Sequence, residues 1–165
     1  MKKQIKLIIT AITAVALLTG CGLWVYMSAE VPLNGVLPQE QWYHMSLVNV
    51  VFKGQETEHR RYTVGEADIG QAMETLCGTK AERYRAFDGS DEDYFWIAFS
   101  TEDWSGRSYI VGNGPDMWNL YLGANGLLRV FAPDGEAFYF ENCQELYRQM
   151  EGLAEKLECS TTISD

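Results

Sequence analysis

The sequence predicts an α+β fold: an antiparallel meander sheet of six to eight strands with two amphipathic helices packed on it, preceded by an N-terminal hydrophobic helix. Three patterns predict it. From residue 82 onward apolar and polar residues alternate with a period of two, interrupted by turn signals at intervals near ten residues. Two stretches, 65–77 and 143–157, instead repeat their apolar residues at helical spacing. Ahead of everything stands an apolar run from Leu7.

The chain begins Met1-Lys2-Lys3-Gln4-Ile5-Lys6, followed by the apolar residues 7–18 and then Thr19-Gly20-Cys21. A basic head, an apolar core of about a dozen residues and a small-residue site together describe a secretory signal peptide. Leu18-Thr19-Gly20-Cys21 resembles the lipobox of bacterial lipoproteins. That resemblance implies that Cys21 is lipidated and becomes the mature N-terminus, with acyl chains replacing the discarded helix as anchor. Each buried CH₂ of such a chain contributes about 0.8 kcal/mol of anchoring. A second reading stays open, because Gly22-Leu23-Trp24-Val25-Tyr26-Met27 continues the apolar character. Read as one helix from Leu7 to Met27, the run reaches about 31 Å and spans a bilayer as a signal anchor. Both readings leave the three lysines inside and residues 28–165 outside the cell membrane.

Residues 28–41 hold two prolines and a glycine without a period, and read as a linker. The single extracytoplasmic domain then covers 42–160, with 161–165 as a tail. Met45 to Phe52 is β-branched and compact, a strand; Lys53 to Thr57 is a turn, and His59 to Thr63 returns as the second half of a hairpin. Thr63-x-x-Glu66 has the form of a capping box for the helix carrying Ile69, Ala72, Met73 and Leu76, which Gly78 stops. Strands follow at 82–87, 94–100, 107–111, 117–122, 127–131 and 137–140, joined by Gly112-Asn113-Gly114-Pro115, Asn125-Gly126 and Pro133-Asp134-Gly135. Asn142 caps the closing helix, whose stripe runs Cys143, Leu146, Tyr147, Met150, Leu153, Ala154, Leu157. In length and element order the chain is similar to small lipoproteins of Gram-positive bacteria. This resemblance carries over Cys21 as lipidation site and no activity.

Charge narrows the function classes. The chain has 165 residues and a formal balance of −10. Beyond residue 20, 10 basic stand against 23 acidic residues, a balance of −13. Nucleic acid is a poor partner for such a surface, because phosphate binding needs clustered Lys and Arg. After Cys21, the cysteines are Cys77, Cys143 and Cys159. Cys143 and Cys159 stand at opposite ends of the closing helix, about 24 Å apart, too far for a disulfide. Cys77 pairing with either, or three free thiols, stays open. There is no Cys-x-x-Cys, and neither His44 nor His59 has a partner at metal-ligand spacing, so no metal and no cofactor is expected. No Gly-x-Ser-x-Gly, Ser-x-x-Lys or phosphate-cradling loop occurs, so no catalytic residue is assigned. Asp88 to Asp93 is an acidic loop without calcium-loop spacing.

Aromatic residues are the unusual resource, at 13% of the chain. Trp104 falls in a polar turn; Trp118 shares a strand face with Leu120 and Leu122, while Tyr121 shares the other with Met117 and Asn119. Trp104, Trp118 and Tyr121 are the ligand-binding candidates, able to stack on a sugar or anchor a protein partner. The expected function is a membrane-tethered, non-catalytic binding or accessory module with an envelope protein or glycan as partner. The alternative is a cell-envelope hydrolase with two carboxylates facing across a cleft.

Overall fold

The computed structural model describes residues 13, 15–20, 22, 29–84, 92–102 and 116–164. Among them, nine strands form one antiparallel sheet and three helical elements accompany it, a mixed α+β fold. The elements are β1 (Glu30–Pro32), a 3-10 turn (Leu33–Gly35), β2 (Tyr43–Lys53), β3 (Glu56–Tyr62), α1 (Glu66–Gly78), β4 (Lys80–Arg83) and β5 (Tyr94–Ser100). Then come β6 (Met117–Gly123), β7 (Leu128–Phe131), β8 (Ala137–Glu141), α2 (Gln144–Ala154) and β9 (Cys159–Ser164). In space the strands run β1-β4-β8-β7-β6-β5-β2-β3-β9. The β5 to β8 meander is the centre of the sheet.

Nine strands exceed the six to eight expected, and both edges explain the excess. β1 lies within the segment read as a linker and pairs with β4, Val31 opposite Ala81. The residues after it are interior: Leu33, Leu37 and Trp42 are buried, and Trp42 stacks on Phe99 with ring centroids 3.7 Å apart. β9 includes most of the segment read as a tail and pairs with β3, Ile163 opposite His59. An edge strand needs only one neighbour, and that neighbour is distant in the chain, so neither segment shows a local period. The expected strand at 107–111 and residues 85–87 of another lie outside the described residues.

Both α-helices cover one face. α1 carries the chain from β3 near one edge to β4 near the other, and α2 carries it back from β8 to β9. Their buried residues, Ala72 and Leu76 on α1 and Leu146, Tyr147, Met150, Leu153 and Ala154 on α2, meet alternate residues of the strands. Phe95, Ile97, Phe99, Leu120, Leu122, Leu128, Val130 and Phe140 supply that side of the core. Period two puts their neighbours in sequence on the opposite face.

The helix starts differ from the expected caps. α1 begins at Gly65, whose N–H is accepted by Asp68 Oδ2 at 3.0 Å. Thr63 instead donates its N–H to the Glu158 carbonyl, prolonging the sheet, so the box sits two residues further on. At α2, Asn142 supplies a left-handed backbone, φ 63°, and Cys143 is the N-cap without a side-chain bond. Asn is among the few residues that adopt this region readily. The β6–β7 turn is tied to the same helix start: Cys143 N–H and Gln144 Nε2 reach the carbonyls of Gly126 and Asn125 at 2.9 Å. A Cβ on Gly126, φ 82°, would collide with the Gln144 amide. α2 also stops at Ala154, short of the full stripe, and Cys159 opens β9 instead of ending a helix. Cys77, Cys143 and Cys159 are free thiols.

Candidate functional site

The face opposite the helices is aromatic. Strand register places Trp96, Tyr121, Arg129 and Tyr139 directly opposite one another across β5, β6, β7 and β8. The same line continues through Val48, Arg61 and Thr161 on β2, β3 and β9. At about 4.8 Å per strand, Trp96 to Tyr139 alone covers about 14 Å. The rings of Trp96 and Tyr121 are nearly parallel, 7° apart in plane with centroids at 6.4 Å. Phe131 meets Tyr121 edge-on at 5.9 Å, and Tyr94 tilts against it at 6.0 Å. The Arg129 guanidinium carbon lies 5.5 Å from the Phe131 centroid and 5.7 Å from that of Tyr139.

Each of these rings is half-buried, held laterally by its neighbours. Trp96 is fixed in orientation as well, because its Nε1 donates to Asn119 Oδ1 at 3.0 Å. Burial, reinforced by Tyr121, raises the Tyr94 pKa, so its hydroxyl keeps its proton and remains a donor. Beside Trp96 the face dips into a depression of about 290 Å³ lined by Val48, His59, Arg61, Thr161 and Ile163. Ile163, 55% exposed, is the most exposed large apolar side chain of the sheet. Flat rings, two guanidinium groups and a shallow hollow can stack on a sugar or on apolar side chains and can attract an anionic group.

Of the sequence candidates, Tyr121 stands at the centre of this surface. Trp118 stands on the other side of β6: half-buried, it packs on the core and lies parallel to Phe99 at 6.3 Å. Cys21 and Trp104 lie outside the described residues, as do residues 88–91 of the acidic loop. Asp93, the last of that loop, accepts the Phe52 N–H at 2.8 Å, just beyond the last β2–β5 pair, Val50 with Tyr94. Sequence reading passed over Arg129, Tyr139 and Arg61, although each occupies an alternate position in a strand of known period.

A second cleft, about 420 Å³, lies at the start of β2, lined by Trp42, Tyr43, His44, Glu66 and Ile69 among others. The register slips between Tyr43 and Ser46, and His44 has φ 51°. A bulge of this kind re-aims a side chain. It turns His44, half-exposed, into a polar cleft with Tyr43 6.3 Å away. Among the described residues, no three His, Cys, Asp or Glu side chains converge as a metal site. Among the described residues no carboxylate side chain is buried, and the buried polar residues are Ser46 and Ser100. No family model, curated protein or solved structure matches the chain.

Proposed function

We propose that this protein is a membrane-tethered extracytoplasmic binding module and that the open aromatic face of its sheet is the contact surface. The single observation that carries the reading is the cross-strand row Trp96–Tyr121–Arg129–Tyr139, three rings and a guanidinium on the face that neither helix covers. Tethering rests on the basic head, apolar run and lipobox-like Leu18-Thr19-Gly20-Cys21. Among the described residues no helix is long and apolar enough to cross a membrane. The partner class is an envelope protein or glycan, held by ring stacking with Arg61 and Arg129 receiving acidic groups.

Two experiments test it. Mass spectrometry of the N-terminus from isolated membranes is expected to find acyl chains on Cys21; an intact Met1 would replace the lipid by a helical anchor. Retention on isolated envelope material is expected for the parent and reduced about tenfold or more for Tyr121→Ala, the loss of one well-placed aromatic anchor. Equal retention of both would remove the aromatic face from the account.

A further inference from the structure

The two edges of the sheet are guarded unequally. A free strand edge presents a row of unpaired N–H and C=O groups, and native chains protect it by shortness, charge or proline. β1, at one edge, has all three: it is three residues long and includes Glu30 and Pro32. β9, at the other, runs six residues, Cys-Ser-Thr-Thr-Ile-Ser, with neither charge nor proline. Its register slips once, near Cys159, and from Thr161 to Ser164 it pairs with β3 without interruption. Among the described residues no strand meets its outer side. Thr161, Thr162 and Ile163 are all exposed.

Three features say what lies along this edge. An antiparallel strand edge is complementary to its own copy turned about a two-fold axis, residue i meeting j while j meets i. β9 also carries both halves of an apolar contact. A two-fold axis through Thr162 sets Thr162 against Thr162 and Ile163 against Thr161 of the other copy. The side-chain period of two keeps Thr161 and Ile163 on the open face in both copies. Thr161 lines the hollow of about 290 Å³ that Val48, His59, Arg61 and Trp96 also line, so each Ile163 arrives at the mouth of the other copy's hollow. The third feature is charge. A chain with a balance of −10 resists its own copy wherever carboxylates meet, but positions 160–164 carry none, and this register opposes no like charges.

We propose that β9 pairs antiparallel with β9 of a second copy about a two-fold axis through Thr162, joining two sheets into one, with each Ile163 closing over the other copy's hollow. The inference goes beyond the envelope contact and does not require it. The row from Trp96 to Tyr139 stays open, and pairing sets two such rows on one side of a continuous sheet. A seam over 160–164 buries less than the roughly 1,200–2,000 Å² of a stable interface, so the pair is reversible and favoured where copies are concentrated.

The test places Thr162→Cys, with Cys159→Ser, in the full-length chain and oxidises isolated membranes with copper phenanthroline. Directly opposed Cα atoms of an antiparallel pair stand about 4.5–5.5 Å apart, within reach of a disulfide. A dimer joined through a 162–162 disulfide, identified by peptide mass spectrometry, is expected. Gln149→Cys with Cys159→Ser, exposed on α2 away from the edge, is expected to stay monomeric. Ile163→Asp removes the apolar contact, sets a carboxylate in the seam and is expected to abolish the 162 adduct. Tyr121→Ala is expected to leave that adduct intact, so the fate of the open face is read separately. Native mass spectrometry needs no substitution in β9: the parent chain released from detergent micelles is expected to appear as two chains, and Ile163→Asp as one. The proposal is overturned if position 162 gives no more dimer than position 149, or if the parent appears only as one chain. An adduct joining 162 to a different protein also overturns it, by showing another occupant of the edge.

Discussion

One sheet presents two faces built by different means. The covered face is closed vertically: Phe95, Ile97, Phe99, Leu120 and Leu122 are fully buried beneath α1 and α2. The opposite face is mixed: Val48, Val50, Ala98 and Met117 are buried on it, whereas Tyr94, Trp96, Tyr121, Phe131 and Tyr139 pack ring against ring and each keep part of their surface in water. Hydrophobic burial scales with area removed from solvent, so the covered face should dominate stability. The open face holds its rings at fixed positions without spending them on the core, which suits a contact surface.

That contrast makes graded predictions. The largest concerns the covered face: Phe99→Ala removes a ring stacked on Trp42 and is expected to lower stability by about 3–5 kcal/mol in urea denaturation. Next comes alkaline pH. Burial pushes the Cys143 thiol from 9.0 up to about 12, and burial with the nearby Glu151, Asp93 and Tyr62 pushes the Tyr147 phenol from 10.0 to about 12. In each case the folded chain keeps a proton that the unfolded chain releases. Stability is therefore complete below pH 9 and falls as pH rises toward 12. For Cys143 the slope is about 1.4 kcal/mol per pH unit. Cys143→Ala should flatten the decline between 9 and 10, where Tyr147 does not yet contribute.

On the open face the expected costs are smaller. Tyr121→Ala removes a ring that is only half-buried and is expected to cost about 1–2 kcal/mol, and a loss as large as that of Phe99→Ala would erase the distinction between the faces. Arg129→Gln removes the cation lying over Phe131 and Tyr139 and is expected to cost about 0.5–1 kcal/mol. The same variants should reverse in order when retention on envelope material is read instead of stability: Tyr121→Ala lowest, Phe99→Ala near parent where it remains folded.

Much of this contrast could be read from residues alone. Tyr94 to Ser100 and Met117 to Leu122 alternate cleanly, so the division of Trp118, Leu120 and Leu122 from Met117, Asn119 and Tyr121 was legible. So was the stripe Leu146, Tyr147, Met150, Leu153, because α2 buries one side only. What escaped depends on distant partners. β1 has three residues and no period, and exists because β4 offers it an edge. β9 was signalled only by the β-branched Thr161, Thr162 and Ile163, beside a helix that ended earlier than its stripe suggested. The row from Trp96 to Tyr139 needs the register of four strands, which no single segment contains.

The measurement that bears most directly on the central claim is site-specific photocrosslinking in intact cells, with a photoreactive phenylalanine placed either at Tyr121 or at Gln149. Gln149 is exposed on α2, on the far side of the sheet. The account predicts a discrete envelope adduct from position 121 and none from 149. Adducts from 149 alone, or equally from both, would contradict it.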